Sequence, residues 1–430
     1  MHSEVVIVGG GAGGLELACK LGRQFGPGRV TLVDSRLYHI WKPSLHEVAA
    51  GTLDVHQEGL SYQMLAHDNA FRFVYGPLTA LDPHTRRLTI GAVQEGGQPV
   101  LPERTLDADH VVIAVGSVAN YFGVPGAAEH TIALNATEDA EHFRLTLLRL
   151  LTVSENQSAD HPRGLDVVII GGGATGVELA AELREASRVY AAYGLRPLVP
   201  QRDVRITLLE GAPRILAPLP ERVASAALKL LEQRAVHVVT DCRVTEIGPD
   251  QVKDGKGNVY PVDLCVWAAG IKAPPLLANL GLPLHKHGQI EVDRQLRVPG
   301  FEGIYALGDC AACPGEDGKL VPPRAQAAHQ QADYLCRVLR DQLKGHQPPT
   351  TPYVYHDYGS LVSFGTQTSV GTLMGSLRGL SWFVEGFFAR IMYASLHLLH
   401  HRAILGTLRT GLLALARFLI KRSTPLVKLH

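Results

Sequence analysis

The sequence of 430 residues predicts an α/β fold with two similar parallel-sheet domains and a C-terminal region of amphipathic helices. Short apolar runs alternate with helical stretches through most of the first 340 residues, which is typical of parallel sheets covered by helices. Two glycine-rich turns, 162 residues apart, each follow an apolar run. This repeat of strand, turn and helix predicts two related units.

The two turns carry the pattern G-x-G-x-x-G at Gly9, Gly11 and Gly14 and again at Gly171, Gly173 and Gly176. In such a turn the first glycine permits a tight bend, the second lets the main chain approach a pyrophosphate, and the third lets helix and strand pack closely. The amides that begin the next helix then face the phosphates. One such pattern also occurs in ordinary loops, but its duplication predicts two bound dinucleotides and Rossmann-like domains.

An acidic residue is expected after each motif, at the end of a second strand, where it accepts hydrogen bonds from ribose hydroxyls. Asp34 stands 25 residues after the first glycine of its motif, and Glu210 stands 39 residues after its own. The longer spacing indicates an insertion around residues 193–202. Glu210 would repel a 2′-phosphate and so favours NADH over NADPH, although Arg214 leaves NADPH open.

Further strands are predicted at residues 71–74, 87–90, 110–115, 237–240, 264–268 and 303–306. Two of them close on Gly116 and Gly270, as a chain that crosses between nucleotide units requires, although buried strands with ordinary glycine turns look the same. The second motif lies between these glycines, so one domain is inserted into the other. We expect a first domain at 1–120 and 286–345, an inserted domain at 121–285, and a C-terminal region at 346–430.

Gly308 and Asp309 follow the short apolar run at 303–306. Gly308 would allow close approach of the main chain, and the Asp309 carboxylate can accept hydrogen bonds from a chain of ribityl hydroxyls. These two residues predict that the dinucleotide of the first domain is FAD.

Composition excludes several classes of protein. The formal net charge is zero and the hydrophobic fraction is 46%, which indicates neither a nucleic-acid-binding tail nor gross disorder. Six scattered cysteines do not form the pattern of a secreted disulfide framework. The sequence begins almost directly with a strand, so no signal peptide is expected and a cytosolic location follows.

The C-terminal region is basic, with eight Lys or Arg and one acidic residue from Ser376 onward. Apolar residues recur near helical spacing at Trp382, Phe383, Phe387, Phe388, Ile391, Met392, Leu396, Leu399, Leu405, Leu408, Leu412, Leu413, Leu415 and Leu419. Basic residues interrupt each run before the roughly 20 residues needed to span a bilayer. The pattern predicts amphipathic helices lying on a membrane surface, with a docking or dimerisation helix pair as the alternative. Residues 358–377 are uncharged and rich in Gly, Ser and Thr, which predicts strands.

Two further clusters are interpreted as structural. Cys310 and Cys313 have redox-motif spacing but directly follow Asp309, outside a thioredoxin-like setting. His397, His400 and His401 could meet on one helical face and bind a metal, but the sequence indicates no fourth ligand, so packing at an interface is expected and no metal site is assigned.

The two glycine motifs, the Gly308-Asp309 pair, the stretch 116–126 and the A-Q-x-A-x-Q segment at 325–330 together resemble type II NADH dehydrogenases, the single-subunit NADH:quinone oxidoreductases. The resemblance runs nearly from end to end, and the last segment is its most specific part. It implies tightly bound FAD on the first motif, with Asp34 at the ribose and Asp309 near the ribityl and phosphate groups. It also implies NADH on the second motif, with Glu210 at the ribose.

Further roles follow from the same resemblance. Gln326 and Gln330, four residues apart on one helical face, would line the quinone side of the flavin. Glu178 would lie close to nicotinamide and quinone, although a helix-start carboxylate stabilised by the helix dipole is an equal alternative. Lys42 falls where the chain of this family passes near the flavin.

The expected activity is hydride transfer from NADH to FAD, followed by transfer of two electrons to a membrane quinone without proton pumping. The protein would be peripheral on the cytoplasmic side of the cell membrane, with a monomer and a homodimer both open. A flavin disulfide reductase is disfavoured because residues 36–60 contain no cysteine. A sulfide:quinone oxidoreductase, and a flavoprotein that senses NADH without turnover, remain the alternatives.

Overall fold

The computed structural model describes residues 1–156, 164–193, 199–364, 369–374, 381–385 and 387–423, so part of the predicted insertion, residues 194–198, lies outside the described residues. The helices are α1 Ala12–Phe25, α2 Leu45–Ala50, α3 Val55–Glu58, α4 Tyr62–Asp68, α5 Ala127–His130, α6 Thr137–Asn156, α7 Ala174–Tyr193, α8 Pro200–Asp203, α9 Glu221–Gln233, α10 Ala325–Leu343, α11 Phe387–Leu405 and α12 Thr407–Ser423. Short 3-10 helices lie at Lys42–Ser44, Pro275–Asn279 and Gly308–Cys310.

The strands are β1 His2–Val8, β2 Val30–Asp34, β3 Tyr38–His39, β4 Leu60–Ser61, β5 Arg72–Tyr75, β6 Leu78–Asp82, β7 Arg87–Ile90, β8 Val93–Glu95, β9 Gln98–Leu101, β10 Arg104–Ile113, β11 Val118–Ala119, β12 Ile132–Ala133, β13 Leu165–Ile170, β14 Val204–Leu209, β15 Val236–Val239, β16 Val244–Ile247, β17 Gln251–Asp254, β18 Val259–Pro261, β19 Leu264–Trp267, β20 Ile271–Lys272, β21 Ile290–Glu291, β22 Ile304–Ala306, β23 Ala311–Ala312, β24 Gly359–Ser363, β25 Ser369–Met374 and β26 Ser381–Glu385. The strands predicted in the first 310 residues are all present.

The first sheet has the order β5-β2-β1-β10-β7-β6, and β22 pairs with the end of β10. Strands β5, β2, β1, β10 and β22 are parallel, whereas β7 and β6 add an antiparallel edge. Residues Val5–Val8 of β1 are almost completely buried, because the strand is covered on both faces. A strand in this position needs a continuous apolar run, which is the pattern that the sequence contains.

The second sheet repeats this arrangement with all strands parallel, in the order β12-β19-β13-β14-β15. Here β13 lies between β14 and β19, as β1 lies between β2 and β10 in the first sheet. The chain leaves the first sheet after Ile113 and returns at Ile304, and the antiparallel pair β11 and β20 lies on the two crossings. This path agrees with an inserted domain, while the domain limits given above stay predictions.

The C-terminal region begins with an antiparallel sheet of β24, β25 and β26. The strands predicted within residues 358–377 are thus confirmed at β24 and β25. The helical assignment of Trp382 and Phe383 was wrong, because both residues belong to β26. A short apolar run has no reliable period, so local sequence cannot distinguish a buried strand from a helix turn there.

Helices α11 and α12 confirm the helical part of the predicted tail. Helix α11 packs against α1, the helix that follows the first glycine turn, and α12 packs against α11. Helix α12 leaves four leucines largely in solvent: Leu408 is 79% exposed and Leu412, Leu415 and Leu419 are each more than half exposed. On another side of the helix, Thr410 is buried and Arg409 pairs with Asp68. None of the described helices has both the length and the apolarity needed to cross a membrane.

A buried polar network joins α11 to α1. The Glu16 carboxylate contacts His400 Nδ1 at 2.7 Å and His329 Nδ1 at 2.5 Å, and His400 Nε2 lies 2.9 Å from His39 Nε2. Burial alone would raise the pKa of Glu16, but the bonds from these histidines bring it well below its usual value. Burial lowers the pKa of His39 and His400. His400 therefore packs at the contact between α11 and α1, which agrees with the packing role expected from the sequence.

Candidate active site

The first glycine turn forms an open cradle of backbone at the end of β1. Gly9 has φ +104°, and a Cβ there would lie 2.4 Å from the Ala114 carbonyl oxygen. A Cβ on Gly14 would lie 2.0 Å from the Gly9 oxygen, so α1 can begin this close to the strand only with glycine. A Cβ on Gly11 would meet nothing within 4 Å, and no side chain caps α1. The backbone at Gly11 is therefore open and the start of α1 has no side-chain cap, which suits an anion at the helix start.

The second turn has the same geometry. Gly171 has φ +110°, and a Cβ there would lie 2.6 Å from Ala268, the counterpart of Ala114 on the neighbouring strand. A Cβ on Gly176 would lie 1.9 Å from the Gly171 oxygen, and one on Gly173 would meet nothing within 4 Å. The corresponding glycines of the two turns therefore have similar surroundings, although the turns follow strands of different sheets.

The predicted acids occupy equivalent places beside the two turns. The Gly10 amide donates to Asp34 Oδ2 and the Gly172 amide donates to Glu210 Oε2, each at 2.6 Å. Each carboxylate also accepts an amide from two residues further on, Arg36 or Ala212. The acids thus lie at the mouths of the cradles, where a ribose next to a bound pyrophosphate would reach them. Near the second acid, Arg214 Nη2 donates to the Ala217 carbonyl at 2.7 Å.

A second group of predicted residues meets at the carboxyl end of β10 and β22. The Ser117 hydroxyl donates to Asp309 Oδ2 at 2.7 Å, and Lys42 Nζ donates to the Ser117 carbonyl at 3.0 Å. Burial lowers the pKa of Lys42, and the Asp309 carboxylate opposes this effect. Gly116 and Gly308 flank the group with φ of +70° and +74°, so the chain here adopts turns that favour glycine.

Glu178 lies on α7, buried between the second glycine turn and the C-terminal sheet. Its Oε1 accepts the Ser363 amide of β24 at 3.0 Å, and its Oε2 lies 3.5 Å from His46 Nδ1. Burial, reinforced by the carboxylates of Glu47 and Glu182, raises the pKa of Glu178 well above its usual value. Burial lowers the pKa of His46 to about 4. Burial therefore favours the neutral form of both groups.

Gln326 and Gln330 lie on one face of α10, as predicted, and both bind the chain that leads into β24. Gln330 exchanges two hydrogen bonds with the backbone of His356, at 2.8 and 3.0 Å. Gln326 donates to the Gly359 carbonyl at 3.3 Å and to Asp357 at 3.2 Å, and it accepts the Tyr358 amide. The two amides therefore fix residues 356–359, the segment that leads to the Ser363 amide beside Glu178.

Two sheets that end in matching glycine turns, with acidic residues beside both, are typical of oxidoreductases that use pyridine nucleotides. The family model for pyridine nucleotide-disulphide oxidoreductases matches residues 3–332. A type II NADH:quinone oxidoreductase of Haemophilus influenzae is 36% identical over 99% of both chains, and the demethylphylloquinone reductase NdbB of Synechocystis is 30% identical over 86% of this chain and 87% of its own. The chain belongs to the pyridine nucleotide-disulphide oxidoreductase family and, within it, to the type II NADH:quinone oxidoreductases.

Solved structures agree on the fold. The NDH2 of Plasmodium falciparum in complex with NADH superposes with a TM-score of 0.84 over 99% of this chain and 100% of its own, at 19% identity. The sulfide:quinone oxidoreductase of Aquifex aeolicus has a TM-score of 0.70 over 94% of this chain and 92% of its own, at 18% identity.

Several residues of the site were not identified from the sequence. Ser117 links Lys42 to Asp309, and His46 and Ser363 surround Glu178. Ser117 lies in the stretch 116–126 but had no role assigned to it there, and His46 and Ser363 belong to no local motif, because each acts through a contact with a distant part of the chain. The cysteines behave as expected: all six are buried and unpaired, and burial raises the pKa of the Cys310 and Cys313 thiols to about 12.

Proposed function

We propose that this protein oxidises NADH on a tightly bound FAD and passes the two electrons to a membrane quinone. The observation that carries the proposal is the duplicated cradle, in which Gly11 and Gly173 leave open backbone beside Asp34 and Glu210. One cradle would hold FAD, which stays bound, and the other would hold NADH, which exchanges in each turnover. The comparisons support NADH and quinone as substrates, since the Haemophilus relative is named for both, the Synechocystis relative for a quinone, and the Plasmodium structure for its complex with NADH.

The first cradle would hold FAD, with Asp34 at the ribose and Asp309 near the ribityl chain. The bound flavin supplies the two-electron chemistry between nicotinamide and quinone. Lys42 is fixed by the Ser117 carbonyl and lies close enough to Asp309 to influence its own pKa through that carboxylate. It would place positive charge beside the flavin, where added electron density needs a counter-charge. Gly116 and Gly308 would allow the main chain to lie against the cofactor.

The second cradle would hold NADH, with Glu210 accepting hydrogen bonds from the ribose hydroxyls. Glu210 would repel a 2′-phosphate, and Arg214 is engaged with the Ala217 carbonyl, so NADH is preferred to NADPH. The glycines of this cradle, Gly171, Gly173 and Gly176, would keep the pyrophosphate at the start of α7.

Glu178 would serve the quinone side as a proton source. Its Oε1 already accepts the Ser363 amide, so the proton favoured by its raised pKa would sit on Oε2, which faces His46. A quinone gains two protons as it is reduced, and a neutral carboxyl in a buried pocket can donate one. Gln326 and Gln330 would line the same side while holding residues 356–359 in place.

The protein would reach its quinone by lying on the cytoplasmic side of the cell membrane. The exposed leucines of α12 and the basic residues of the tail suit an interface helix that enters the headgroup region of an anionic bilayer. The same leucine face could join two subunits, so a homodimer is the alternative use of this surface.

The deciding experiment is anaerobic mixing of the flavin-loaded protein with NADH and then with a soluble quinone, while the flavin absorbance is recorded. We expect NADH to bleach the flavin band and quinone to restore it within each turnover. A sample mixed with sulfide in place of NADH is the control. Bleaching by sulfide alone would favour a sulfide:quinone oxidoreductase, and bleaching by NADH without recovery on quinone would favour a redox sensor.

A further inference from the structure

A histidine pair on α11 meets a carboxylate from a distant part of the chain. His397 and His401 are one helical turn apart with ring centroids 4.4 Å from each other, and Glu58 of α3 joins them. One nitrogen of each ring and one carboxylate oxygen all lie within 4.8 Å of one another. We propose that Glu58, His397 and His401 bind a divalent transition metal, with Zn²⁺ as the best match, and that the metal fixes α11 to α3.

The donor set selects the class of metal. Two imidazoles and one carboxylate form a common three-ligand set for Zn²⁺, with the fourth position left to water or another donor. Imidazole nitrogen disfavours Ca²⁺ and Mg²⁺, which prefer oxygen donors throughout. Zinc bound at about 2.0 Å in tetrahedral geometry holds its ligand atoms roughly 3.4 Å apart. The three donor atoms lie within 4.8 Å of one another, so side-chain rotations would have to bring them to that spacing.

The surroundings of His401 favour metal binding over a purely packing role. His401 Nδ1 lies 3.0 Å from the His397 carbonyl oxygen, which can only accept, so the proton of the neutral ring sits on Nδ1 and Nε2 is the ligating atom. Metal-binding histidines usually donate their second ring nitrogen to a carbonyl in this way. His401 is buried, so its ring is held in one place. The Trp41 ring stacks near His397 at an interplanar angle of 14° and restricts its rotation.

Glu58 sits on a turn that is itself well fixed. The Asp54 side chain caps α3 through the His56 amide at 2.9 Å, and the Glu58 and Gly59 amides close the turn on Asp54 and Val55. A metal held by α3 and α11 would therefore join two rigid elements. Since α11 packs on α1, the metal would fix the tail at its junction with the first domain.

The test uses full-length, flavin-loaded protein from which metals have been removed with a chelator. Zn²⁺ is titrated against a competing indicator, and Co²⁺ is added separately as a spectroscopic probe of tetrahedral coordination. We expect one Zn²⁺ per chain and a visible Co²⁺ band. Glu58→Gln and His401→Gln should each weaken Zn²⁺ binding at least tenfold and abolish the band. His56→Gln, on the exposed side of the same short helix, is the matched control and should bind as the unaltered protein does.

A second readout separates a built site from adventitious binding. Zn²⁺ should slow amide hydrogen exchange in residues 395–405 of the unaltered protein and of His56→Gln, but not of Glu58→Gln. Flavin content, measured on every variant, shows that the body is folded. The proposal is overturned if no stoichiometric Zn²⁺ binds, if both site variants bind it with unchanged affinity, or if binding leaves exchange in α11 unchanged.

Discussion

At the residue scale, Glu178 is a buried acid whose protonation is coupled to folding. Its pKa is raised by burial and by Glu47 and Glu182, so the folded protein binds this proton more tightly than the unfolded chain does. The free energy of unfolding must then fall as the pH rises from the usual glutamate pKa of about 4.3 toward the raised value in the folded state. Below that window the carboxyl is protonated in both states and contributes no pH dependence.

Glu178→Gln should remove this pH dependence, because an amide keeps an acceptor for the Ser363 amide but does not titrate. We expect the variant to be more stable than the unaltered protein at pH 8, with the difference shrinking as the pH approaches 4. Urea unfolding at several pH values measures it, and the exposed Glu95→Gln serves as the control. Curves for Glu178→Gln and the unaltered protein that stay parallel across this range would contradict the buried-acid description.

At the scale of elements, α12 presents leucines to solvent at a spacing that puts them on one face. Leu408, Leu412, Leu415 and Leu419 are all more than half exposed, whereas a helix docked only on its own protein would bury such a stripe. Burial of one leucine contributes about 2 kcal/mol, so two of these residues carry a measurable share of any lipid affinity.

The double variant Leu412→Gln with Leu415→Gln should weaken binding to anionic vesicles at least tenfold, while the reaction with a soluble quinone stays unchanged. Vesicle sedimentation measures the binding. Leu145→Gln, which alters a leucine of similar exposure on α6, is the control. Unchanged sedimentation with vesicles, together with a change from dimer to monomer in solution, would instead identify the stripe as a subunit interface.

In the C-terminal region, some elements could be predicted from local sequence and others could not. The strands β24 and β25 and the helices α11 and α12 follow from composition and spacing, which are local properties. The strand β26 does not, because Trp382 and Phe383 sit in a run too short to have a clear period. The contact between Glu16 and His400 joins residues 384 positions apart, so no local pattern could indicate it.

At the scale of the whole molecule, two domains contain the same strand, glycine turn and helix, and we propose that they hold different nucleotides. Asp34→Ala should lower FAD occupancy of the purified protein, whereas Glu210→Ala should keep the flavin and raise the KM for NADH roughly tenfold or more. Each substitution removes a charged acceptor, worth about 1.5–3 kcal/mol, at only one of the two cradles. Flavin absorbance and steady-state rates measure the two effects. The reverse pairing of effects would exchange the nucleotides between the domains.

The same duplication explains which parts of the site were predictable. A strand, a glycine turn and a helix form one continuous stretch, so the cradles and their acids could be found by spacing alone. Lys42, Ser117 and Asp309 come from separate parts of the chain and meet only once β10 and β22 pair in the first sheet, so spacing could not reveal the link through Ser117. Glu178 was identified through family resemblance, but its contact with His46 depends on the packing of α2 against α7.

The burial of every cysteine has a consequence for the lifetime of the protein. Flavin enzymes that meet molecular oxygen release hydrogen peroxide, and peroxide attacks thiolates rather than thiols. Burial raises the pKa of Cys19, Cys265, Cys310 and Cys313 to about 12, so these sulfurs stay protonated and shielded at physiological pH. Peroxide released by the proposed flavin would therefore meet sulfurs that resist oxidation.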